Sequence, residues 1–126
     1  MATPVEQWLA QADYDFETAE AMYASGRYIY AVFMAHLALE KALKGLNHRA
    51  FGEYPPKTHN LVFLAARIGL EPPRGIARTL VDFNGTNLTT RYPKDLDKAI
   101  ELFPRNRVRA MLDEARRCIQ WIKQQS

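Results

Sequence analysis

Two short polar clusters hold the residues of this 126-residue chain that are best suited to chemistry. The first is Lys57-Thr58-His59, at the expected start of a helix. Free N–H groups and the positive end of the helix dipole suit an anion there, and Lys57 and His59 add to that tendency. The alternative is a plain helix cap by Thr58, with His59 packed or solvated. The second cluster is Asn84, Asn87, Thr90, Arg91, Tyr92 and Pro93. Arg91 is able to fork onto a phosphate, and Tyr92 to stack on a base or donate its hydroxyl. Asn84, Asn87 and Arg91 are three and four apart, so they share one face if the helix persists through them. The alternative pairs Arg91 with an acid of the first helix and puts Tyr92 in the core.

Other chemistry is poorly supplied. His36, His48 and His59 show neither HExxH nor the Cys/His spacing of a zinc site. The chain has no Walker loop, GxGxxG or GxSxG. Asp13/Asp15 and Asp113/Glu114 are one or two apart on helices and cannot converge on one ligand. No catalytic set, metal or cofactor is therefore expected. His36 lies inside an apolar run and reads as a satisfied core or interface histidine.

The elements that must position these residues are helices. Thr3-Pro4-Val5-Glu6 is an N-cap, an N1 proline and a capping-box glutamate. Apolar residues then recur every three or four positions from Val5 to Tyr23, so a helix is predicted over about 4–25, ended by Gly26. A second helix is predicted from Arg27 to about His48. It is apolar nearly all round from Tyr28 to Leu39, which implies burial on most sides and part of it facing another subunit. Residues 49–57 read as a loop around Gly52 and Pro55-Pro56. A short third helix, capped by Thr58, stops at Gly69. A fourth runs from Pro72-Pro73 to about Leu88, weakened near its end by Gly85. Residues 95–102 read as a short helix or a turn, and a last helix starts near Pro104. No repeat or linker divides the chain, so residues 1–126 form one all-α domain, an antiparallel up-and-down bundle of four to five helices.

Composition agrees with an ordinary soluble domain: 48% hydrophobic, 25% charged, net charge +3. The charge is uneven. Residues 1–26 hold five acids and no Lys or Arg; residues 27–87 hold eight basic and four acidic residues, and 88–126 nine and five. Such a body could offer an anion a basic side, or its helix faces could simply neutralise one another. The single cysteine, Cys118, fits a buried structural thiol and a reducing compartment. No signal peptide is recognisable, and no apolar stretch reaches the ~20 residues that span a bilayer. A cytoplasmic protein without a membrane partner is expected.

One family resemblance spans nearly the whole chain. Trp8, Ala12 and Asp13-Tyr14-Asp15 come first, then Gly26-Arg27-Tyr28 and Ala35-His36-Leu37-Ala38-Leu39-Glu40-Lys41-Ala42-Leu43-Lys44. Lys57-Thr58-His59-Asn60-Leu61, Arg91-Tyr92-Pro93 and Trp121-Ile122-Lys123 follow in order. This series is similar to HEPN domains, the higher eukaryote and prokaryote nucleotide-binding domains. The resemblance implies a helical bundle that forms a homodimer. It also implies pairing with a minimal nucleotidyltransferase, often as a toxin–antitoxin module. Some HEPN proteins are metal-independent ribonucleases that use an Arg, four to six residues, then a His. Here no histidine occupies that window after Arg91, and His36-Leu37 stands where such relatives commonly carry glutamines. Catalysis would require His59 to be brought to Arg91 by folding. The leading expectation is a non-catalytic dimer that binds a nucleotide or RNA through Arg91, Tyr92, Lys57, His59, Asn84 and Asn87, with a nucleotidyltransferase as partner. The alternatives are a ribonuclease toxin and a purely structural interaction subunit.

Overall fold

The computed structural model describes residues 2–126 as six helices. They are α1 (Pro4–Ala24), α2 (Tyr28–Phe51), α3 (Leu61–Arg67), α4 (Arg74–Arg91), α5 (Leu96–Leu102) and α6 (Arg105–Gln124). The all-α bundle expected from the sequence is present, with one helix more than expected because residues 96–102 do form a short helix. Asp95 starts it, its Oδ1 accepting from the Lys98 amide at 3.1 Å.

The predicted ends hold where a cap was legible. Thr3 Oγ1 accepts from the Glu6 amide, and Gly26 follows α1 with a φ of 78°. α2 instead runs three residues past its predicted end near His48, into the stretch 49–57 expected as a loop, and stops at Phe51 before Gly52, whose φ is 65°. α3 departs from expectation. Its cap is Asn60, whose Oδ1 accepts from the Phe63 amide at 3.0 Å, while Thr58 Oγ1 accepts from the Asn60 amide. Both residue types cap well, and the turn after Pro55-Pro56 delays the helix by two residues. α4 runs through Gly85 to Arg91, three residues beyond the predicted end. Phe83, Thr86 and Thr90 are buried on its inner face and outweigh the roughly 1 kcal/mol a glycine costs a helix.

α2 is the central helix, packed by α1, α3, α4, α5 and α6. This explains its nearly uniform apolarity within one chain. Ala31, Val32, Ala35, Ala38, Leu39, Ala42 and Leu43 are buried, and Tyr30 is the large side chain left exposed in its first turns. Where α1 crosses α2 the backbones approach closely at Gly45. A Cβ there would fall 2.9 Å from Trp8 Cβ, an atom fixed to its own helix. Gly45→Ala is therefore expected to destabilise the fold by about 1–3 kcal/mol, despite the better helix propensity of alanine. A thermal melt followed by circular dichroism would show it as a drop of several degrees, and an unchanged melt would mean the two helices separate freely.

The acids of α1 face α6 and the middle of α2. Glu20 pairs with Arg109 at 2.7 Å and Arg116 at 3.4 Å, Asp13 with Lys123 at 2.7 Å, and Asp15 with Lys41 at 2.8 Å. The uneven charge of the chain is thus largely neutralised between helices. Cys118 is fully buried and its thiol is pushed up to about 12 by that burial, a structural role as expected. Among the described residues no helix is long and apolar enough to cross a membrane.

Candidate functional site

The site centres on Glu40, a carboxylate carried by the innermost helix. Its residue surface is only 3% exposed. Burying a carboxylate is costly unless cations and donors surround it. One cation comes from its own helix, with an uncharged imidazole beside it. His36, Glu40 and Lys44 are spaced four apart and lie on one stripe. Lys44 Nζ donates to Oε2 at 3.0 Å, and His36 Nδ1 lies 3.8 Å from Oε1.

Two further groups arrive from distant sequence. His59 Nδ1 is 2.8 Å from Glu40 Oε1. An ionised carboxylate only accepts, so Nδ1 carries the proton of that bond and Nε2 points elsewhere. Arg91 Nη2 lies 3.9 Å from the same Oε1 and 3.5 Å from His59 Nδ1. Its Nε donates to Asn87 Oδ1 at 2.7 Å, and its guanidinium sits 4.5 Å over the Phe33 ring. The guanidinium is thereby held from two sides, with Nη2 facing the cluster.

Two amide side chains fix the register. Asn84 Oδ1 accepts from the Leu61 amide at 2.7 Å and its Nδ2 donates to Asn60 Oδ1 at 2.8 Å, tying α4 to the start of α3 beside His59. Asn47, fully buried, donates to the Leu43 and Leu64 carbonyls and accepts from Arg67, locking α3 onto α2. His59 thus hangs from a segment that is pinned at its junction with α3, with half of its side chain open to solvent.

Four of the six residues singled out in the sequence meet here: Arg91, His59, Asn84 and Asn87. Lys57 is exposed and is not among the groups gathered round Glu40. Tyr92 is 73% exposed and lines a separate depression with Leu88, Lys94 and Leu102. The alternative for the second cluster fails in both its parts: the partner of Arg91 is Glu40 of α2 rather than an acid of α1, and Tyr92 is outside the core. Sequence reasoning missed Glu40 and Lys44 as site residues. The available signal was a carboxylate in register with His36 on a stretch otherwise destined for burial.

His36 is buried as expected but not satisfied. Neither ring nitrogen has a hydrogen-bond partner. Burial pushes its imidazole down to about 4; Glu40 pulls the other way, and Arg91 and His59 add to the depression. At neutral pH it is an uncharged ring beneath the ion cluster. Among the described residues no three His, Cys, Asp or Glu gather as a metal set.

The cluster therefore presents Arg91, Lys44 and a carboxylate-held imidazole around one buried anion. The two full cations, Arg91 and Lys44, exceed the one carboxylate, so an incoming anion gains at the solvent-facing side.

Comparison with known proteins agrees in fold and in family. A crystal structure of TT1696 from Thermus thermophilus superposes with a TM-score of 0.84 at 26% identity, covering 99% of this chain and all of that one. The crystal structure of ST0689, described as an archaeal HEPN homologue, gives 0.77 at 27% identity, covering 98% of each chain. No curated protein matches. The HEPN domain matches residues 5–125, from the first turn of α1 to the cap of α6 and including every residue of the Glu40 cluster, and the chain belongs to that family.

Proposed function

We propose that this HEPN domain binds the phosphate of a nucleotide or RNA at Arg91 and His59, as a homodimeric partner subunit of a minimal nucleotidyltransferase in a reducing cytoplasm. The observation that carries the binding site is the 2.8 Å bond between His59 and buried Glu40, with Arg91 3.5 Å from the same imidazole. Arginine held from two sides by Asn87 and Phe33 suits a phosphate, because a restrained guanidinium offers paired donors at little entropic cost. Family membership supports the nucleotidyltransferase partner. The exposed apolar side chains of Leu88, Tyr92 and Leu102 support a second copy of the chain.

A second reading is favoured by one observation. The Arg–His pair of a metal-independent ribonuclease, missing from the window after Arg91, is supplied in space by His59. With Nδ1 held by Glu40, Nε2 is placed to move a proton to or from a ribose hydroxyl, while Arg91 stabilises charge on the phosphate.

One experiment separates the two. Labelled RNA is incubated with wild type, Arg91→Ala and His59→Ala in the presence of a chelator, and both binding and cleavage are read. Arg91→Ala is expected to weaken binding on the order of 10- to 100-fold, the worth of a charge-assisted contact. Cleavage by wild type that both variants lose would establish the ribonuclease reading. Binding without cleavage would establish the binding subunit, with co-purification of a nucleotidyltransferase as the next measurement. Equal affinity in wild type and Arg91→Ala would refute the site.

A further inference from the structure

A cleft of about 240 Å³ opens between the start of α2 and the turn from α4 to α5. Arg27 and Tyr30 form one wall, Arg91 and Pro93 another, and Leu96 and Ile100 of α5 close it. No carboxylate lines it. Tyr30 lines the cleft and is 56% exposed. The cleft and the Glu40 cluster share Arg91.

They are also ordered along one helix. Tyr30, Phe33, Leu37, Glu40 and Lys44 follow one another at steps of three or four on α2, so they trace one stripe. Glu40 is ten residues past Tyr30, a rise of about 15 Å. Arg91 lines the cleft itself, so a phosphate held there has the cleft directly beside it. The chemistry of the walls selects the ligand. Arg27 and Arg91, with no carboxylate in the cleft lining, favour an anion there even though Arg91 also faces Glu40 on its other side. An exposed tyrosine and apolar side chains accept the flat face of a base and read no hydrogen-bond pattern, which suits single strands of mixed sequence. The volume is below that of a site for a drug-sized molecule and fits one ring system.

We propose that this cleft is a base subsite, in which a base next to the phosphate held at Arg91 stacks on Tyr30. The proposal rests on the phosphate reading of the Arg91–His59 site. The test measures binding of a labelled oligoribonucleotide, an abasic oligomer of equal charge, and a mononucleotide by anisotropy, using wild type, Tyr30→Ala, Tyr30→Phe and Arg91→Ala. Tyr30→Ala, at an exposed position, is expected to weaken oligoribonucleotide binding on the order of 10- to 100-fold. Tyr30→Phe should keep it, the mononucleotide should follow the same order, and the abasic oligomer should be indifferent to either change. If Tyr30→Ala binds the oligoribonucleotide as wild type does while Arg91→Ala does not, the base subsite is wrong and the phosphate site stands. If Arg91→Ala also binds as wild type, both fall. If Tyr30→Ala instead splits a dimer in light scattering, with affinity per protomer unchanged, the cleft seats a second copy and the proposal is overturned.

Discussion

Replacing Glu40 with alanine is expected to lower stability by about 3–5 kcal/mol, the cost of removing one partner of a buried ion cluster. The carboxylate is almost fully buried and is the shared counter-charge of Lys44 and Arg91, whose side chains are only 12% and 18% exposed. Without it those two cations repel each other in a half-desolvated space, His59 loses the acceptor for its Nδ1 proton, and a cavity opens beside His36. For a chain of this length such a loss corresponds to a fall in melting temperature of about 10 °C or more. Glu40→Gln should cost less, since the amide oxygen still accepts from His59 while its amide nitrogen meets Lys44. Calorimetry on the three proteins would decide it. A melting temperature for Glu40→Ala within about 2 °C of wild type would mean the cluster is screened by water and contributes little, and the pre-set orientation of His59 would lose its basis.

The second large effect is a dependence on pH that belongs to His36. Its imidazole sits near 4 in the folded chain against an ordinary 6.5, because burial disfavours the charged ring. Above pH 6.5 the ring is neutral whether the chain is folded or not, and it imposes no penalty. Between 6.5 and 4 the unfolded chain takes up a proton that the folded chain refuses, so stability falls as the pH falls. The accumulated loss at pH 4 is about 3 kcal/mol from this one residue. Denaturant titrations at a series of pH values should show a slope over that interval in wild type that His36→Gln largely removes. Equal slopes in the two proteins would show that His36 is protonated in the folded state, drawn up by Glu40. The missing hydrogen bonds at both ring nitrogens favour the neutral ring: Glu40 Oε1, 3.8 Å from Nδ1, is beyond hydrogen-bond distance.

The local half of this architecture was legible in residue order, because caps and periodicity act over a few positions. Thr3 with Glu6, Gly26 and the three-and-four spacing of α1 and α6 each specify a helix through neighbours alone. The same holds for the shared face of Asn84, Asn87 and Arg91, which needed only that α4 continue. Where two local signals competed, the tertiary packing chose. Thr58 and Asn60 are both good caps, and Asn60 prevails where Asn84 reaches it from α4. Gly85 argued for an early end to α4, and buried Phe83, Thr86 and Thr90 carry the helix past it.

Composition and pattern also determined that the second helix would be buried, but not by what. Its apolar surface is the same whether five helices of its own chain or a neighbouring subunit cover it, since burial energy depends on area and not on the source of the cover. The site lies beyond that limit for the same reason. His59 is 19 residues from Glu40 and Arg91 is 32 residues from His59. No periodic rule links such positions. They meet because Asn47 clamps α3 to α2, Asn84 clamps α4 to α3, and the one carboxylate on the buried stripe requires cations around it. Residue types alone therefore marked His59 and Arg91 as able to bind a phosphate. Their pairing through Glu40, the separation of Lys57 and Tyr92 from them, and the neutral His36 beneath were decided by the desolvation and packing of side chains that only the folded chain brings together.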